Sequence, residues 1–289
     1  MLEVHEIAAV RADRPDAVAA AARERRRPVS WRGGHGRLMI IAADHPARGA
    51  LAAGPDRFAM GNRADLLHRL RIALGRPGVN GVLGSPDILE DLLLLGALDD
   101  KVVLGSMNRG GLAGAAFEVD DRFTGYDARS LAAAGFEGGK MLLRLDYSDA
   151  ATADTLQSCA AAVSALAEQR LMAMVEPFLA YRDEGRLRTE LTADAMVRAV
   201  SVAAGLGTTS AYTWLKLPVV PDLDRVLAAT TLPVLLLGGE VGADADAVYA
   251  GWAKGLANRG VQGLVVGRSL LFPPGGDVAA AVDRAVSLL

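Results

Sequence analysis

Residues 211–237 read AYTWLKLPVVPDLDRVLAATTLPVLLL and hold one complete strand–helix–strand unit. Two short aliphatic runs, 211–217 and 232–237, flank a stretch over 221–230 with the spacing of a helix. Apolar strands bounded by helices predict a parallel sheet buried on both faces, because the helix carries the chain back to the starting edge.

The same alternation extends outward from this unit. Further strands are expected at 37–43, 80–84, 101–106, 139–145, 171–176 and 261–266, and helices at 62–76, 86–97, 151–169, 192–205, 243–258 and 276–288. Eight such units predict a closed (β/α)8 TIM barrel over residues 37–289, preceded by an N-terminal helical extension, residues 1–36. An open doubly wound sheet is the alternative. It calls for a nucleotide loop after an early strand, and no GxGxxG follows the first one. Residues 15–27 (PDAVAAAARERRR) read as an Ala-rich helix that precedes the barrel and covers its bottom. Its basic end suits a subunit contact, an anion patch, or a solvated helix terminus with arginines at the negative pole of the dipole; we take the last. The stretch 107–135 reads as a long loop in the active-site wall.

Composition narrows the function classes. Of 289 residues 51% are hydrophobic and 5% aromatic, enough for a large core of small and aliphatic side chains. A net charge of -3 gives no general attraction to nucleic acid or to an anionic membrane. Cys159 is the single cysteine, so no disulfide forms within the chain, and its Ala-rich surroundings suit a passive core thiol. No stretch reaches about 18 uninterrupted apolar residues, and the N-terminus lacks the order of a secretion signal, so a cytoplasmic location is expected. With four histidines, two of them (His5 and His35) before the barrel, no three-ligand zinc set is apparent. We expect neither metal nor cofactor.

In this fold the reactive groups lie at the carboxyl ends of the strands. Candidates are Asp44 and His45, Ser85, Asn108 and Arg109, then Lys140, Arg144 and Asp146, Glu176, Lys216, the run Gly238-Gly239-Glu240, and Gly267-Arg268-Ser269. Lys216 stands out. The chain uses 31 basic residues but only four lysines, so a lysine inside the apolar run Trp-Leu-Lys-Leu-Pro is not a generic charge. Burial lowers an ammonium's pKa, and the neutral amine can attack a carbonyl; arginine cannot. The alternatives are a snorkelling lysine or a structural ion pair.

Period-two counting puts Tyr212, Trp214 and Lys216 on one face, as it does Met172, Met174 and Glu176, and likewise Lys140, Leu142, Arg144 and Asp146. Glu176 then lies beside Lys216 as an acid/base, or forms a structural pair with Arg144 or Lys140. Lys140 is a core ion-pair member or a second amine that depresses Lys216. Asp44 holds substrate hydroxyls or relays a proton, or else caps the following turn, and His45, expected to bind substrate, can do either near neutral pH. Asn108 and Lys140 also belong to the expected binding set, and Arg144 meets a second anionic group. Gly238, Gly239, Gly267 and Arg268 read as a phosphate cradle, where bare backbone allows close approach and the guanidinium supplies charge.

These pieces together resemble the class I aldolase superfamily: Ala-Ala-Asp-His-Pro, Trp-Leu-Lys-Leu-Pro, Leu-Leu-Leu-Gly-Gly-Glu and Val-Val-Gly-Arg-Ser-Leu, in the family's order over about 37–272. That superfamily includes archaeal-type fructose-bisphosphate, tagatose-bisphosphate and deoxyribose-phosphate aldolases. The resemblance implies a Schiff base on Lys216 and a substrate phosphate at Gly238, Gly239, Gly267 and Arg268. Two departures stand: Pro46 replaces the glycine usual in archaeal-type enzymes, and Glu176-Pro177-Phe178 replaces their tyrosine, as in the tagatose-bisphosphate group. The runs AADHPARGAL, GSMNRGGLAG and LKLPVV look closer still to an actinobacterial subfamily found with inositol-degradation genes. That likeness implies cleavage of 6-phospho-5-dehydro-2-deoxygluconate to dihydroxyacetone phosphate and malonate semialdehyde. The expected partner is therefore a small phosphorylated sugar, and the chain is expected to form a homo-oligomer. Other readings of the same site are a transaldolase-like synthase, a metal-dependent aldolase, and a sugar-phosphate-binding barrel without turnover.

Overall fold

A computed structural model describes residues 2–31, 36–108, 112, 114–115, 117–239 and 244–289. The candidates His35, Arg109 and Glu240 lie outside the described residues.

Eight parallel strands close into a barrel: β1 (Leu38–Ala42), β2 (Gly81–Gly84), β3 (Val102–Ser106), β4 (Gly138–Leu145), β5 (Met172–Asp183), β7 (Thr213–Leu217), β8 (Val234–Leu237) and β9 (Val261–Val266). Neighbours follow the order β4-β3-β2-β1-β9-β8-β7-β5, and a β4–β5 pairing closes the ring. An extra strand, β6 (Arg186–Thr189), pairs antiparallel with the outer end of β5, which runs seven residues past the expected end at Glu176. The staves form because Leu, Ile, Val and Met fill both faces; β1, LMIIA, is buried at every position.

Around the barrel lie α3 (Arg63–Leu74), α4 (Pro86–Leu94), α5 (Ala128–Ala133), α6 (Ala151–Glu168), α7 (Ala193–Ala204), α8 (Leu223–Leu227), α9 (Ala245–Leu256), α10 (Arg268–Leu271) and α11 (Val278–Val286). Several begin at a side-chain cap: Asn62, Thr192 and Asp277 accept from the amides of Asp65, Ala195 and Ala280. α8 is half its expected length. Leu66, Leu67 and Leu70 of α3 are completely buried, each worth about 1.5–3 kcal/mol of transfer free energy. Among the described residues no helix is long and apolar enough to cross a membrane.

The N-terminal segment holds two helices, α1 (Ile7–Asp13) and α2 (Ala17–Glu24). They run along the barrel's flank: Arg11 reaches Glu90 and Asp91 of α4 at 3.0 and 2.9 Å. The segment then turns under the barrel, where the partly buried Trp31 packs on the interior cluster containing Leu38, Met172 and Trp214. The basic run is a solvated helix end only in part: Arg23, Arg26 and Arg27 are exposed, but Arg25 is not. Arg25 is buried and pairs with Glu137 at 2.9 Å; Arg26 pairs with Asp99 and Asp100, and Arg27 also reaches Glu137. These arginines staple the segment to the bottoms of β3 and β4, because Glu137 also accepts the Val103 amide.

Register positions the site. Leu142 lies opposite Glu176 and Val175 opposite Leu215, which sets Glu176 and Lys216 level on adjoining staves, with Lys140 one layer lower. Met172, Met174 and Trp214 share an interior cluster, so the faces assigned by counting do point inward.

Candidate active site

The buried charges at the top of the barrel form one chain. Lys216 Nζ is 2.9 Å from Glu176 Oε1, and Lys140 Nζ is 2.7 Å from Glu176 Oε2 and 3.0 Å from Asp44 Oδ2. All four side chains are nine-tenths buried or nearly so. Glu176 therefore bridges two lysines rather than pairing with Arg144.

The two amines titrate in opposite directions. Burial drives Lys216 below the ordinary lysine range; Glu176 opposes the shift, while the neighbouring Lys140 ammonium adds to it. Lys140 suffers the same burial, but Asp44 and Glu176 outweigh it and hold its pKa above the ordinary value. Burial pushes Glu176 up, yet the two lysines prevail and bring it down to about 2. Asp44 is likewise held low: Lys140, His45 and Lys216 together overcome its desolvation. Near neutral pH the cluster thus has two carboxylates, one firm ammonium and one amine that gives up its proton more readily. Lys140 is both of the things expected as alternatives, an ion-pair member and the charge that depresses Lys216.

Above this cluster opens a pocket of about 820 Å3. Its floor includes Glu176, Lys216 and Leu142, whereas Asp44 and Lys140 lie behind those side chains. On one side stand Gly238 and Gly239 after β8 and Gly267 and Arg268 after β9, with His45 beside them. The close approach of the two loops requires glycine. A Cβ on Gly238 would sit 2.6 Å from Val266 Cγ1, and one on Gly267 would collide with the Ala42 carbonyl. Trp252 Nε1 donates to the Leu237 carbonyl at 3.1 Å and fixes the start of the first loop. His45 is held neutral: burial comes first, and with Arg268 and Arg48 it brings the imidazole down to about 3 despite Asp44. It can donate or accept a hydrogen bond but will not carry charge.

Besides Lys140, which pairs with Asp44 and Glu176 and does not line the pocket, two expected binding residues have other partners. Asn108 is fully engaged with backbone: Nδ2 donates to the Leu142 carbonyl at 2.7 Å, and Oδ1 accepts the Leu142 amide at 2.7 Å. It extends the β3–β4 pairing and does not line the pocket. Arg144 borders the pocket, but its guanidinium donates to Asp121 at 2.6 and 3.2 Å and to Glu118 Oε1 at 3.1 Å. It anchors the long loop after β3 instead of offering a free fork to substrate. Of the other strand-end candidates, Asp146 accepts from Ser148 and Ser85 donates to Asp87, both away from the pocket.

The long loop expected in the wall does reach it, through Glu118. Sequence reasoning missed two other parts: Arg48, which follows β1 in the 3-10 turn His45–Arg48, and Leu187 and Thr189 of the β5–β6 hairpin. The hairpin had a signal in Glu184-Gly185, both at positive φ in a two-residue turn.

An eight-stranded parallel barrel of this topology, ringed by helices, is a (β/α)8 TIM barrel. Residues 36–286 match the Cgl0159-like family, and the chain belongs to it. The crystal structure of Cgl0159 from Corynebacterium glutamicum is 52% identical, covers 99% of this chain and 95% of its own, and superposes with a TM-score of 0.95. More distant likenesses are in fold. A Schiff base-forming fructose-1,6-bisphosphate aldolase is 17% identical with a TM-score of 0.67, covering 94% of this chain and 99% of its own. An archaeal fructose 1,6-bisphosphate aldolase is 15% identical with a TM-score of 0.66, covering 94% and 98%. No curated protein matches the chain in sequence.

Proposed function

We propose that the protein is a class I aldolase that makes or breaks a C–C bond in a phosphorylated keto sugar or keto sugar acid through a Schiff base on Lys216. One observation carries the reading. A buried amine, pushed toward its neutral form, sits 2.9 Å from an ionised carboxylate on the floor of a pocket walled by glycine loops and Arg268.

The chemistry follows from the charges. The Lys216 lone pair attacks the ketone carbon; loss of water gives an iminium. Glu176, ionised and within hydrogen-bond reach, accepts the protons released along this path and returns them. In the cleavage direction, a proton leaves the hydroxyl beyond the bond to be broken. The C–C electron pair then flows into the iminium, freeing an aldehyde and leaving an enamine that is reprotonated and hydrolysed. Lys140 stays an ammonium and orients Glu176 and Asp44 from behind. Gly238, Gly239, Gly267 and Arg268 hold the phosphate, so remote binding energy places the carbonyl over Lys216.

The substrate we favour within this class is 6-phospho-5-dehydro-2-deoxygluconate, split into dihydroxyacetone phosphate and malonate semialdehyde. The test is a coupled assay for dihydroxyacetone phosphate release. Wild-type protein is expected to turn over and Lys216→Met to be inactive; equal activity in both sinks the reading.

A further inference from the structure

When a C–C bond breaks into an iminium, the hydroxyl beyond that bond must hand its proton to a base. Few groups on the pocket wall are able to take it. Among the described residues the titratable side chains there are His45, three arginines, Glu118, Glu176 and Lys216. The arginines stay protonated, and the Lys216 nitrogen is the one that becomes the imine. Glu118 accepts from Arg144 at 3.1 Å and from the Gly114 amide at 2.9 Å. Glu176 carries a lysine on each oxygen, at 2.7 and 2.9 Å, and Asp44 lies behind the floor. His45 remains.

The imidazole is placed for the task. His45 opens the 3-10 turn after β1, and its ring packs on the loop after β9, with Cε1 3.0 Å from where a Cβ on Gly267 would stand. Nδ1 is buried without a hydrogen-bond partner and faces Asp44 Oδ1 at 3.9 Å, while Lys140 takes the other oxygen of Asp44. The exposed part of the side chain, 14%, is therefore the edge that carries Nε2. A carboxylate facing Nδ1 favours the tautomer with its proton there, which turns the Nε2 lone pair to the cavity. With the pocket empty the ring is neutral: burial, Arg268, Arg48 and Lys216 disfavour its charged form, and Asp44 alone favours it. A phosphate seated against Arg268 cancels one of the opposing charges, so the imidazole becomes a stronger base when substrate is in place.

We propose that His45 is the catalytic base of the C–C step, with Asp44 orienting it through Nδ1. In cleavage Nε2 takes the hydroxyl proton, the O–H electron pair becomes the second bond of the aldehyde carbonyl, and the C–C pair moves into the iminium to give the enamine. In condensation the imidazolium returns the proton to the new alkoxide. The protons of imine formation stay with Glu176. The assignment rests on the aldolase reading.

The test separates the C–C step from imine formation. The first is read as aldol addition of dihydroxyacetone phosphate to malonate semialdehyde, the second as the borohydride-trapped adduct on Lys216. His45→Ala is expected to slow the C–C step about 100–10,000-fold and imine trapping far less, and the space-filling His45→Gln to show the same split. Added imidazole is expected to restore part of the C–C rate in His45→Ala, which a merely structural role would not allow. The tautomer is read without turnover, by nitrogen NMR of histidine-labelled wild-type protein at about pH 7, the His45 signals being those lost in His45→Gln. A neutral ring protonated on Nδ1 is expected. A ring protonated on Nε2, a C–C rate in both variants equal to wild type, or equal losses in both steps overturns the proposal. A failed aldolase reading shows itself separately, as the absence of any reducible adduct in the wild-type protein.

Discussion

Replacing Lys140 with methionine removes one positive charge from the buried cluster while keeping most of the side chain's volume. Lys140 and Lys216 bracket the two oxygens of Glu176 at 2.7 and 2.9 Å. Two ammonium groups held on the two oxygens of one carboxylate repel each other, by a few kcal/mol at an effective dielectric constant of about 20, and that repulsion lowers the pKa of Lys216. Without Lys140, Asp44 and Glu176 act on Lys216 alone, and its proton is held more tightly. The neutral fraction at pH 7 falls. The assay is the rate of cyanoborohydride-trapped imine formation with dihydroxyacetone phosphate, from about pH 6 to about pH 10. The alkaline limb of the Lys140→Met profile is expected to move to higher pH than that of the wild type, with the rate largely recovered at its plateau. A profile that superimposes on the wild type, or a loss equal at every pH, refutes the claim that Lys140 tunes Lys216.

Three further outcomes follow from the geometry. The depressed Glu176, near 2 when folded and near 4.3 when unfolded, contributes stability that is present above the unfolded value and lost as pH falls through the folded one. Calorimetric melting temperature should thus drop steeply between about pH 4 and pH 2, and Glu176→Gln should flatten part of that slope. Asn108→Ala leaves the Leu142 amide and carbonyl without their partners and should cost about 2–4 kcal/mol in denaturant titration, with ligand affinity less affected than stability. Gly267→Ala drives a methyl into the Ala42 carbonyl and to 3.0 Å from His45 Cε1; about 1–3 kcal/mol of lost stability and weakened phosphate binding are expected in melting and calorimetry.

The staves were legible because each is apolar on both faces; the last, 261–266, was read with the bounds that the structure has. Lys216 and Glu176 were legible for a related reason. Period-two counting fixes which side chains face inward, and adjacent staves of one barrel bring them level. What escaped were features set by distant partners. Arg25 reads as the end of an Ala-rich helix, yet it is buried against Glu137, more than a hundred residues away. Arg144 was read as a substrate ligand because nothing local shows that Glu118 and Asp121 will fold onto it. The fifth strand, expected to end at Glu176, runs on through Pro177, because a residue with no amide to donate can still sit in a strand whose other groups pair. The first helix, IAAVRAD, is too short for its periodicity to stand out.

The account rests on the Lys216 amine forming a bond to a keto carbon. Borohydride reduction in the presence of dihydroxyacetone phosphate, followed by peptide mass mapping, reads that bond directly. A reduced adduct on Lys216, absent from the Lys216→Met variant, is the result the cluster's electrostatics predict. An adduct confined to Lys140, or no adduct at saturating ketone, contradicts it.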